Sequence, residues 1–412
     1  MQQTPKGLRL HIGIFGRRNV GKSSLLNAIT HQTVSIVSNE KGTTTDPVEK
    51  NMELLPLGPV QFIDTAGLDD DGTLGQLRIE RTRAVFERCD LALVVTDGPW
   101  ENDEIRICET LKERQIPWIA VLNQCDVVDH DALLNTLKQS QTEVVKTSVK
   151  TGEGLEELQQ AIIRIAPEDF LNAQKLVGDL VPENSHVLLV IPIDKEAPKG
   201  RLILPQVQTI RDLLDHSVSC SICREDRVSE ALANFKTPPS LVVTDSQAFG
   251  IVSKQVPESI MLTGFSVLFA RMKGDLMTMA RGAARISNLR PGDSVLIAEA
   301  CTHHPVQDDI GRVKIPNWLR KAIGDDIHID VISGMEFPKD LSKYSLIIHC
   351  GACMWTRRQM LSRIRQAAAQ NVAITNYGLA IAALHGILGR ALEPFPEALC
   401  EWQKESSAGV CQ

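Results

Sequence analysis

The stretch LHIGIFGRRNVGKS, residues 10–23, decides the fold of the first third of the chain. Its first six residues form an apolar strand, the rest form a glycine-flanked loop ending in Lys22-Ser23, and a helical pattern continues to Ile29. Strand, loop and helix in this order are the context that a phosphate-binding loop requires. In such a loop, backbone N–H groups and the helix N-terminus hold phosphate oxygens. The stretch therefore predicts a nucleotide-binding α/β domain.

The alternation of apolar strands and helical patterns continues from Leu8 to about Phe170. A helical pattern lies at Ile79 to Arg88, and the further predicted strands are Gln61 to Ile63, Leu91 to Thr96 and Trp118 to Leu122. Such alternation predicts a doubly wound parallel sheet. We expect this first domain to occupy residues 1–172.

Candidate phosphate and magnesium ligands lie in the loop and after a neighbouring strand. Lys22 is expected to neutralise the β- and γ-phosphate oxygens, and the Ser23 hydroxyl to hold magnesium. Asp64 brings a carboxylate near the magnesium, and Gly67 lies where a γ-phosphate is sensed. The remaining candidates for phosphate contact in the loop are Gly16, Asn19, Gly21 and Ser24.

A second group of candidates is typical of guanine recognition. Asn123 and Asp126 follow the strand that ends at Leu122, and Ser148-Val149-Lys150 comes next along the chain. The carboxylate of Asp126 can accept hydrogen bonds from guanine N1 and N2, which adenine does not offer. GTP is therefore favoured over ATP.

With these motifs in order, Leu8 to Ala166 resembles the translation-factor-like GTPases, within them the branch of tRNA-modifying and ribosome-assembly GTPases. The resemblance implies a P-loop GTPase that hydrolyses GTP to GDP and phosphate. One position departs from the pattern, because Gln124 stands where the family usually has a lysine whose stem packs over the base. We expect a weaker grip on the nucleotide.

The same resemblance bears on the hydrolysis step. Leu68 follows Gly67, so the water-orienting glutamine of Ras-like enzymes is missing at that place. In the resembling branch, an asparagine at the position of Asn19 and a switch segment like residues 42–46 support a potassium ion that replaces an arginine finger. By that resemblance Asn19 is a potassium ligand and Thr44 holds magnesium. The alternative is that Asn19 only shapes the loop.

The middle of the chain, residues 185–270, is predicted to be a second α/β domain after a polar linker at 177–185. It carries no recognisable catalytic constellation, which favours a structural or self-association role. Cys220 and Cys223 form a CxxC pair in an apolar stretch without a nearby histidine, and we interpret them as packing thiols. The predicted strands are Val187 to Ile191, Leu241 to Thr244 and Ser259 to Met261.

The last part, residues 271–412, is predicted to be a third α/β domain that carries soft metal ligands. Cys301 and His303 follow one strand, and His349-Cys350 with Cys353 follow another. Parallel strands end at one sheet edge, so these residues should converge, with a helix beginning at Cys350. The predicted strands are Val295 to Ala298, Ile327 to Ile332, Leu346 to Ile348 and Val372 to Thr375.

Three cysteines with one or two other ligands fit either zinc or a 4Fe-4S cluster with one distinct iron, and spacing does not decide between them. The structural alternative is a set of core cysteines with incidental histidines.

Taken together, the phosphate loop, Cys301-x-His303 and His349-Cys350-x-x-Cys353 resemble the family of GTPases that mature FeFe hydrogenase (HydF) over essentially all 412 residues. The resemblance implies GTPase, dimerisation and cluster-binding domains, and a 4Fe-4S cluster held by Cys301, Cys350 and Cys353. It also implies a scaffold or carrier role for the di-iron precursor, with radical-SAM maturases and apo-hydrogenase as partners. The exchangeable fourth ligand is expected among His303, His304, His349 and Asp308, with His303 or Asp308 favoured.

Composition limits the other functions. A formal charge of −7 and the lack of a Lys/Arg run argue against nucleic-acid binding, and no apolar run is long enough to span a membrane. Ten cysteines without an export signal indicate a reducing, cytoplasmic location. The missing basic surface also counts against a rival function, a zinc-structured GTPase of tRNA modification or ribosome assembly. A further rival is a scaffold whose nucleotide domain has negligible turnover. We expect a homodimer.

Overall fold

The computed structural model describes residues 5–30, 48–65, 84–167, 170, 176–193, 202–300, 309–334 and 337–408. The chain divides into two compact units, residues 1–174 and 175–412.

The first unit contains a six-stranded sheet with the strand order β2-β3-β1-β4-β5-β6. All neighbouring strands are parallel except β2 and β3, which pair antiparallel. Burial of every residue of β1 and β4 explains why they read as continuous apolar runs. The strands are β1 (Leu10–Phe15), β2 (Val48–Leu54), β3 (Gly58–Asp64), β4 (Leu91–Thr96), β5 (Trp118–Leu122) and β6 (Glu143–Lys146).

Helices cover both faces of this sheet. They are α1 (Lys22–Thr30), α2 (Asn102–Glu113), α3 (Asp131–Gln139) and α4 (Leu155–Ile165), and residues 84–88 are also helical. Apolar residues of α1 and α4 share one buried cluster with Ile12 and Ile14, whereas α2 packs into another with Phe15 and Ile63. The predicted doubly wound sheet is confirmed.

The second unit contains two parallel four-stranded sheets, with orders β10-β9-β7-β8 and β12-β11-β13-β14. The first sheet consists of β7 (His186–Val190), β8 (Ser219–Cys223), β9 (Leu241–Thr244) and β10 (Met261–Gly264). The second consists of β11 (Ser294–Glu299), β12 (His328–Ser333), β13 (Leu346–His349) and β14 (Ala373–Asn376).

The helices of this unit connect and cover the two sheets. They are α5 (Leu204–Asp215), α6 (Val228–Ala233), α7 (Phe249–Val252), α8 (Phe265–Lys273), α9 (Leu276–Ala284), α10 (Ile315–Ile323), α11 (Arg357–Ala369), α12 (Tyr377–Leu384), α13 (Leu388–Leu392) and α14 (Pro396–Ala408). One hydrophobic cluster runs from Leu188 and Val242 to Leu296 and Ile347, so both sheets share a core.

Several sequence predictions need correction. Residues 177–185 are not a free linker, because Val177 is fully buried and Val177 and Gly178 donate backbone hydrogen bonds to Asp212 Oδ2 at 2.8 and 2.7 Å. Although this stretch contains several polar residues, Val177 and Val181 are buried and fix it to the core. The strand predicted at Ser259 to Met261 begins instead at Met261, since Pro257 to Ile260 form a hydrogen-bonded turn.

Candidate functional sites

The backbone of the phosphate loop requires glycine at two positions. At Gly16 φ is +142°, and a Cβ would lie 2.2 Å from the carbonyl oxygen of Val95. At Gly21 φ is +91°, and a Cβ would lie 2.4 Å from Nδ2 of Asn123. Asn19 is exposed with φ 66°, a left-handed conformation that asparagine tolerates better than most residues. The loop thus packs directly against Asn123 of the segment predicted to recognise the base.

Lys22 begins α1, and its buried ammonium group lies over this loop. Its Nζ donates hydrogen bonds to the carbonyl oxygens of Gly16 at 2.9 Å and Arg17 at 2.5 Å. A cation held there above converging backbone groups is placed to bind phosphate oxygens.

Ser23 and Asp64 meet as predicted for a magnesium site. The Ser23 hydroxyl donates to Asp64 Oδ2 at 2.5 Å, and Asp64 Oδ1 is buried with no hydrogen-bond partner among the described residues. Burial raises the pKa of the Asp64 carboxyl, against the opposing effects of Ser23 and Lys22. A hydroxyl beside a buried carboxylate oxygen that lacks a partner fits a hard, oxygen-bound cation. Thr44, the other predicted magnesium ligand, and Gly67, predicted to sense the γ-phosphate, lie outside the described residues, and Ser24 is exposed on α1.

The residues predicted to recognise the base are joined by hydrogen bonds. Asn123 Nδ2 donates to the Val20 carbonyl oxygen at 2.9 Å, and its Oδ1 accepts from Thr147 Oγ1 at 3.1 Å. Ser148, which is fully buried, donates from Oγ to Asp126 Oδ1 at 2.7 Å and fixes that carboxylate. The structure therefore brings together the predicted pair of segments. The last two predicted residues follow at this edge, Val149 half-buried and Lys150 exposed.

Arg17 is a residue of the phosphate loop that the sequence did not single out. Its Nε donates to Glu104 Oε1 at 2.8 Å, and its NH1 lies 2.8 Å from Glu101 Oε2. Glu104 is fully buried, and its second oxygen accepts the backbone N–H of Glu101 at 3.0 Å, forming the capping box of α2. The loop is thus tied to the start of α2. The spacing of Glu101 and Glu104 that forms the capping box is visible in the sequence. The ion pair with Arg17 is not, because Arg17 and Glu104 are 87 residues apart.

In the second unit, three parallel strands end side by side at one sheet edge. Ala298 of β11 pairs with His349 of β13, and His349 pairs with Asn376 of β14. The Cys350 N–H also donates to the Ala298 carbonyl oxygen at 2.9 Å. The residues one position beyond this row are Glu299, Cys350 and Tyr377.

Cys350 is held where the neighbouring strand continues towards Cys301. Its Sγ accepts a hydrogen bond from the backbone N–H of Ala300 at 3.0 Å. Cys301 is the next residue in the chain and lies outside the described residues, as do His303, His304 and Asp308. Burial raises the pKa of the Cys350 thiol to about 11, and nearby Cys353 acts in the same direction. Two half-buried thiols with a backbone N–H donor fit the sulfur ligands of an iron–sulfur cluster or zinc.

The predicted helix start at Cys350 is wrong. α11 begins at Arg357, and the Thr356 side chain caps it by accepting from the Gln359 N–H. Ala352, with φ 46°, interrupts any helix between the two cysteines. The cysteines therefore lie on an irregular turn, and the helix N-terminus follows it rather than beginning at Cys350.

His349 has both ring nitrogens engaged within the protein. Its side chain is fully buried, Nδ1 lies 2.8 Å from the Cys350 carbonyl oxygen, and Nε2 lies 2.8 Å from NH1 of Arg363. Burial and the guanidinium of Arg363 lower the pKa of His349 to about 3. Because Arg363 can only donate, Nε2 accepts and Nδ1–H donates. This arrangement makes His349 a neutral core residue rather than an iron ligand.

Tyr377 is a further residue at this edge that sequence reasoning missed. Its hydroxyl is buried and has no hydrogen-bond partner among the described residues. Burial raises the pKa of Tyr377, and Cys350 is the next largest cause. The signal available in the sequence was its position directly after β14, at the same strand end as the cysteines.

The other CxxC pair behaves as the sequence indicated. Cys220 and Cys223 lie on the edge strand β8, are half-buried and pack against the core. Burial raises the pKa of Cys223 to about 11. Residues three apart on a strand point to opposite faces, so the two thiols do not form one ligand pair.

Within the described ranges, no group of three or more His, Cys, Asp or Glu side chains is arranged to hold a metal ion, and two of the three predicted cluster cysteines lie in these ranges. No helix in the same ranges is long and apolar enough to cross a membrane.

Comparison with protein families divides the chain into three parts. Residues 11–124 match the family described as 50S ribosome-binding GTPase. Residues 176–274 match the hydrogen maturase F dimerization domain, and residues 277–394 match the hydrogen maturase F tetramerization domain. The last two matches together cover more than half of the chain.

Curated relatives match a smaller part. The tRNA modification GTPase MnmE of Desulfotalea psychrophila is 36% identical over 160 residues, 37% of this chain and 33% of that protein. MnmE of Trichodesmium erythraeum is 35% identical over 175 residues, 40% of this chain and 37% of that protein. The chain thus spans about a third of the length of these relatives. Among solved structures, the G domain of the T. maritima FeoB iron transporter aligns with TM-score 0.31 and 27% identity, covering 38% of this chain and 98% of that one.

Proposed function

Since the chain belongs to the hydrogen maturase F family and carries a GTPase domain, we propose that it is a GTP-hydrolysing maturation factor for FeFe hydrogenase. In this proposal it binds a 4Fe-4S cluster and carries the di-iron precursor of the hydrogenase active site. Residues 1–172 bind and hydrolyse GTP, residues 185–270 mediate dimerisation, and residues 271–412 hold the cluster. The match of 277–394 to a tetramerization domain adds a second assembly surface to the homodimer expected from the sequence.

The nucleotide part of the proposal is supported by contacts among its described residues, such as those of Ser23 with Asp64 and of Asn123 with Val20. Lys22 binds the β- and γ-phosphates, Ser23 and Asp64 hold magnesium with Thr44, and Gly67 senses the γ-phosphate. Asn123, Asp126 and the 148–150 segment read guanine. The hydrogen bond from Asn123 to the Val20 carbonyl oxygen supports this assignment, because it couples base recognition to the phosphate loop.

Asn19 is proposed as a potassium ligand that replaces an arginine finger. Its exposed, left-handed position in the loop supports this role. GTP hydrolysis should be at least about tenfold faster in potassium than in sodium, because the ion supplies transition-state charge. Asn19→Gly, which keeps the backbone conformation, should abolish the difference, whereas Arg18→Ala should retain it. Equal rates of the unmodified protein in both buffers would refute the potassium role.

The cluster part of the proposal is carried by one observation, the 3.0 Å hydrogen bond from the Ala300 N–H to Cys350 Sγ. It brings the chain that leads into Cys301 against the Cys350 thiol. Cys301, Cys350 and Cys353 would hold the cluster, with His303 or Asp308 as the replaceable fourth ligand. The bound cluster supplies an iron that can exchange this ligand for one from the precursor.

Partners follow from the family. We propose that radical-SAM maturases deliver the precursor and that apo-hydrogenase receives it, with no nucleic acid or membrane partner. We also propose a reducing, cytoplasmic location, which the ten cysteines of the sequence favour. Hydrolysis of GTP would time docking or release, since a switch can bias only states that it contacts differently.

Anaerobic purification followed by iron, sulfide and zinc analysis tests this function. Iron and sulfide, together with activation of apo-hydrogenase by protein exposed to the maturases, are the expected results. Zinc without sulfide in oxygen-free protein would overturn the proposal in favour of a zinc-structured GTPase. The similarity of the GTPase domain to tRNA modification GTPases is the observation that favours the zinc-structured alternative. If the protein activates apo-hydrogenase but shows no GTP hydrolysis in a single-turnover assay, it would be a scaffold whose nucleotide domain is only regulatory.

A further inference from the structure

The row of residues beyond the strand ends places a phenol beside the proposed cluster. Asn376 pairs with His349 in the parallel register of β13 and β14, so Tyr377 and Cys350 leave neighbouring strands at equivalent positions. Neighbouring strands of a sheet lie about 4.8 Å apart. Tyr377 therefore begins α12 next to the turn that carries Cys350, the cysteine that is best defined as a cluster ligand.

The surroundings keep the Tyr377 hydroxyl at a fixed place. A Cβ on Gly311 would lie 2.1 Å from this hydroxyl and 2.8 Å from Glu299 Oε1, so the ring fits only because residue 311 is glycine. Glu299 is in turn held by Arg312, whose NH2 donates to Oε2 at 3.0 Å. Asp309 Oδ1 accepts the Arg312 N–H at 2.9 Å.

The hydroxyl is a buried donor without an acceptor among the described residues. Such groups are rare in native proteins, because burial removes the hydrogen bonds that water would supply. Among the described carboxylates nearby, Asp309 caps the following turn and Glu299 Oε2 is held by Arg312, and the hydroxyl makes no hydrogen bond with Glu299 Oε1. Cys350 Sγ, which already accepts from the Ala300 N–H, becomes a stronger acceptor at this row when it binds metal, because a metal-bound cysteine is a thiolate.

We propose that Tyr377 is a positioning residue of the cluster site, whose hydroxyl donates a hydrogen bond to the metal-bound thiolate of Cys350. This inference rests on the proposed cluster function. Together with the Ala300 N–H, the phenol gives the Cys350 sulfur two donors. Hydrogen bonds to cluster sulfurs stabilise the more negative, reduced state and so raise the reduction potential. They also slow the loss of the ligand.

The chain has two tyrosines, which provide a matched control. Tyr344 OH donates to Asp330 Oδ2 at 2.7 Å in the same unit, and Tyr344 precedes β13 whereas Cys350 follows it. Tyr377→Phe and Tyr344→Phe each remove one phenol hydroxyl from the full chain. Both variants and the unmodified protein are reconstituted anaerobically with ferrous iron and sulfide. The midpoint potential is followed by EPR, iron release to a chelator by absorbance, and metal-free melting temperature by calorimetry.

The two variants should change different properties. Tyr377→Phe should lower the midpoint potential and speed iron release about fivefold, the factor for one ordinary hydrogen bond, while the metal-free melting temperature should not fall, because no hydrogen bond is lost there. Tyr344→Phe should lower that temperature and leave both cluster properties unchanged. A Tyr377→Phe cluster with unaltered potential and release rate would overturn this inference alone. Absence of an iron–sulfur cluster in the unmodified protein would overturn the proposed function and this inference with it.

Discussion

Gln124 is the residue that most clearly separates this nucleotide site from those it resembles. Its backbone is left-handed at φ 59°, and its carbonyl oxygen accepts from the N–H groups of Val127 and Val128. A lysine stem at this position would bury extra methylene groups against the base. Gln124→Lys should therefore tighten GDP binding by about tenfold in calorimetry. Gln139→Lys, an exposed substitution of equal charge, is the control, and identical GDP affinities for the Gln124→Lys and unmodified proteins would disprove the idea.

His11 makes a second residue-scale prediction, on the dependence of stability on pH. Burial, assisted by Arg88, lowers the pKa of His11 to about 4 from its usual 6.5. His11 therefore stays neutral in the folded state at pH values where the unfolded state binds a proton. Protonation of the unfolded state lowers the free energy of unfolding, so stability is highest above pH 6.5 and falls as the pH drops towards 4. At pH 5 the loss is about 2 kcal/mol.

Urea unfolding of the full chain at pH 7.5 and pH 5.0 measures this effect. His11→Gln should lose less stability between the two pH values than the unmodified protein, by about 2 kcal/mol in the first unit. His216→Gln, at a more exposed histidine, should behave like the unmodified protein. Equal losses in the His11→Gln and unmodified proteins would show that burial of His11 does not oppose its protonation.

At the scale of elements, the ion pair between Arg17 and Glu104 joins the phosphate loop to α2. Glu104→Gln would leave the guanidinium without its buried counter-charge while keeping a capping oxygen. It should destabilise the first unit by about 1–3 kcal/mol and weaken GTP binding. Glu109→Gln on the exposed face of α2 is the matched control. Unchanged stability and GTP affinity in Glu104→Gln would mean that the loop does not depend on α2.

Elements defined by local pattern were predictable from the sequence. The bounds of β1, β4 and β5 match the predictions because continuous burial produces continuous apolar runs. The turn that carries Cys350 and Cys353 was not predictable as a turn. Gly351 and the capping box of Thr356 and Gln359 are signals against a helix start at Cys350, but the left-handed residue is Ala352 rather than the glycine beside it, so the form of the turn does not follow from the sequence.

Long-range contacts explain the remaining differences between sequence and structure. Cys350 could be placed at a strand end, but the hydrogen bond between Arg363 and His349 depends on how α11 packs on the sheet. Sequence reasoning therefore kept His349 among the candidate iron ligands. Tyr377 was overlooked because a tyrosine after a strand is usually a packing residue, and its missing acceptor becomes visible only when burial is known.

At the scale of the whole molecule, the chain combines a GTPase unit with a unit whose two sheets share one core. That shared core means that the proposed boundary near residue 270 separates two sheets of one compact unit. The resemblance to the hydrogenase maturation family, seen first in the phosphate loop and cysteines, is confirmed by family matches that lie in the second unit. The cluster itself is the claim on which the proposed function depends.

EPR of the reduced, anaerobically reconstituted full chain tests that claim most directly when three proteins are compared. The unmodified protein and Cys223→Ser, which alters the other CxxC pair, should each bind about four iron and four sulfide and give the signal of a reduced 4Fe-4S cluster. Cys350→Ser should lose most of both the iron and the signal. An undiminished signal in Cys350→Ser, or a signal lost equally in Cys223→Ser, would contradict the placement of the cluster at this strand edge.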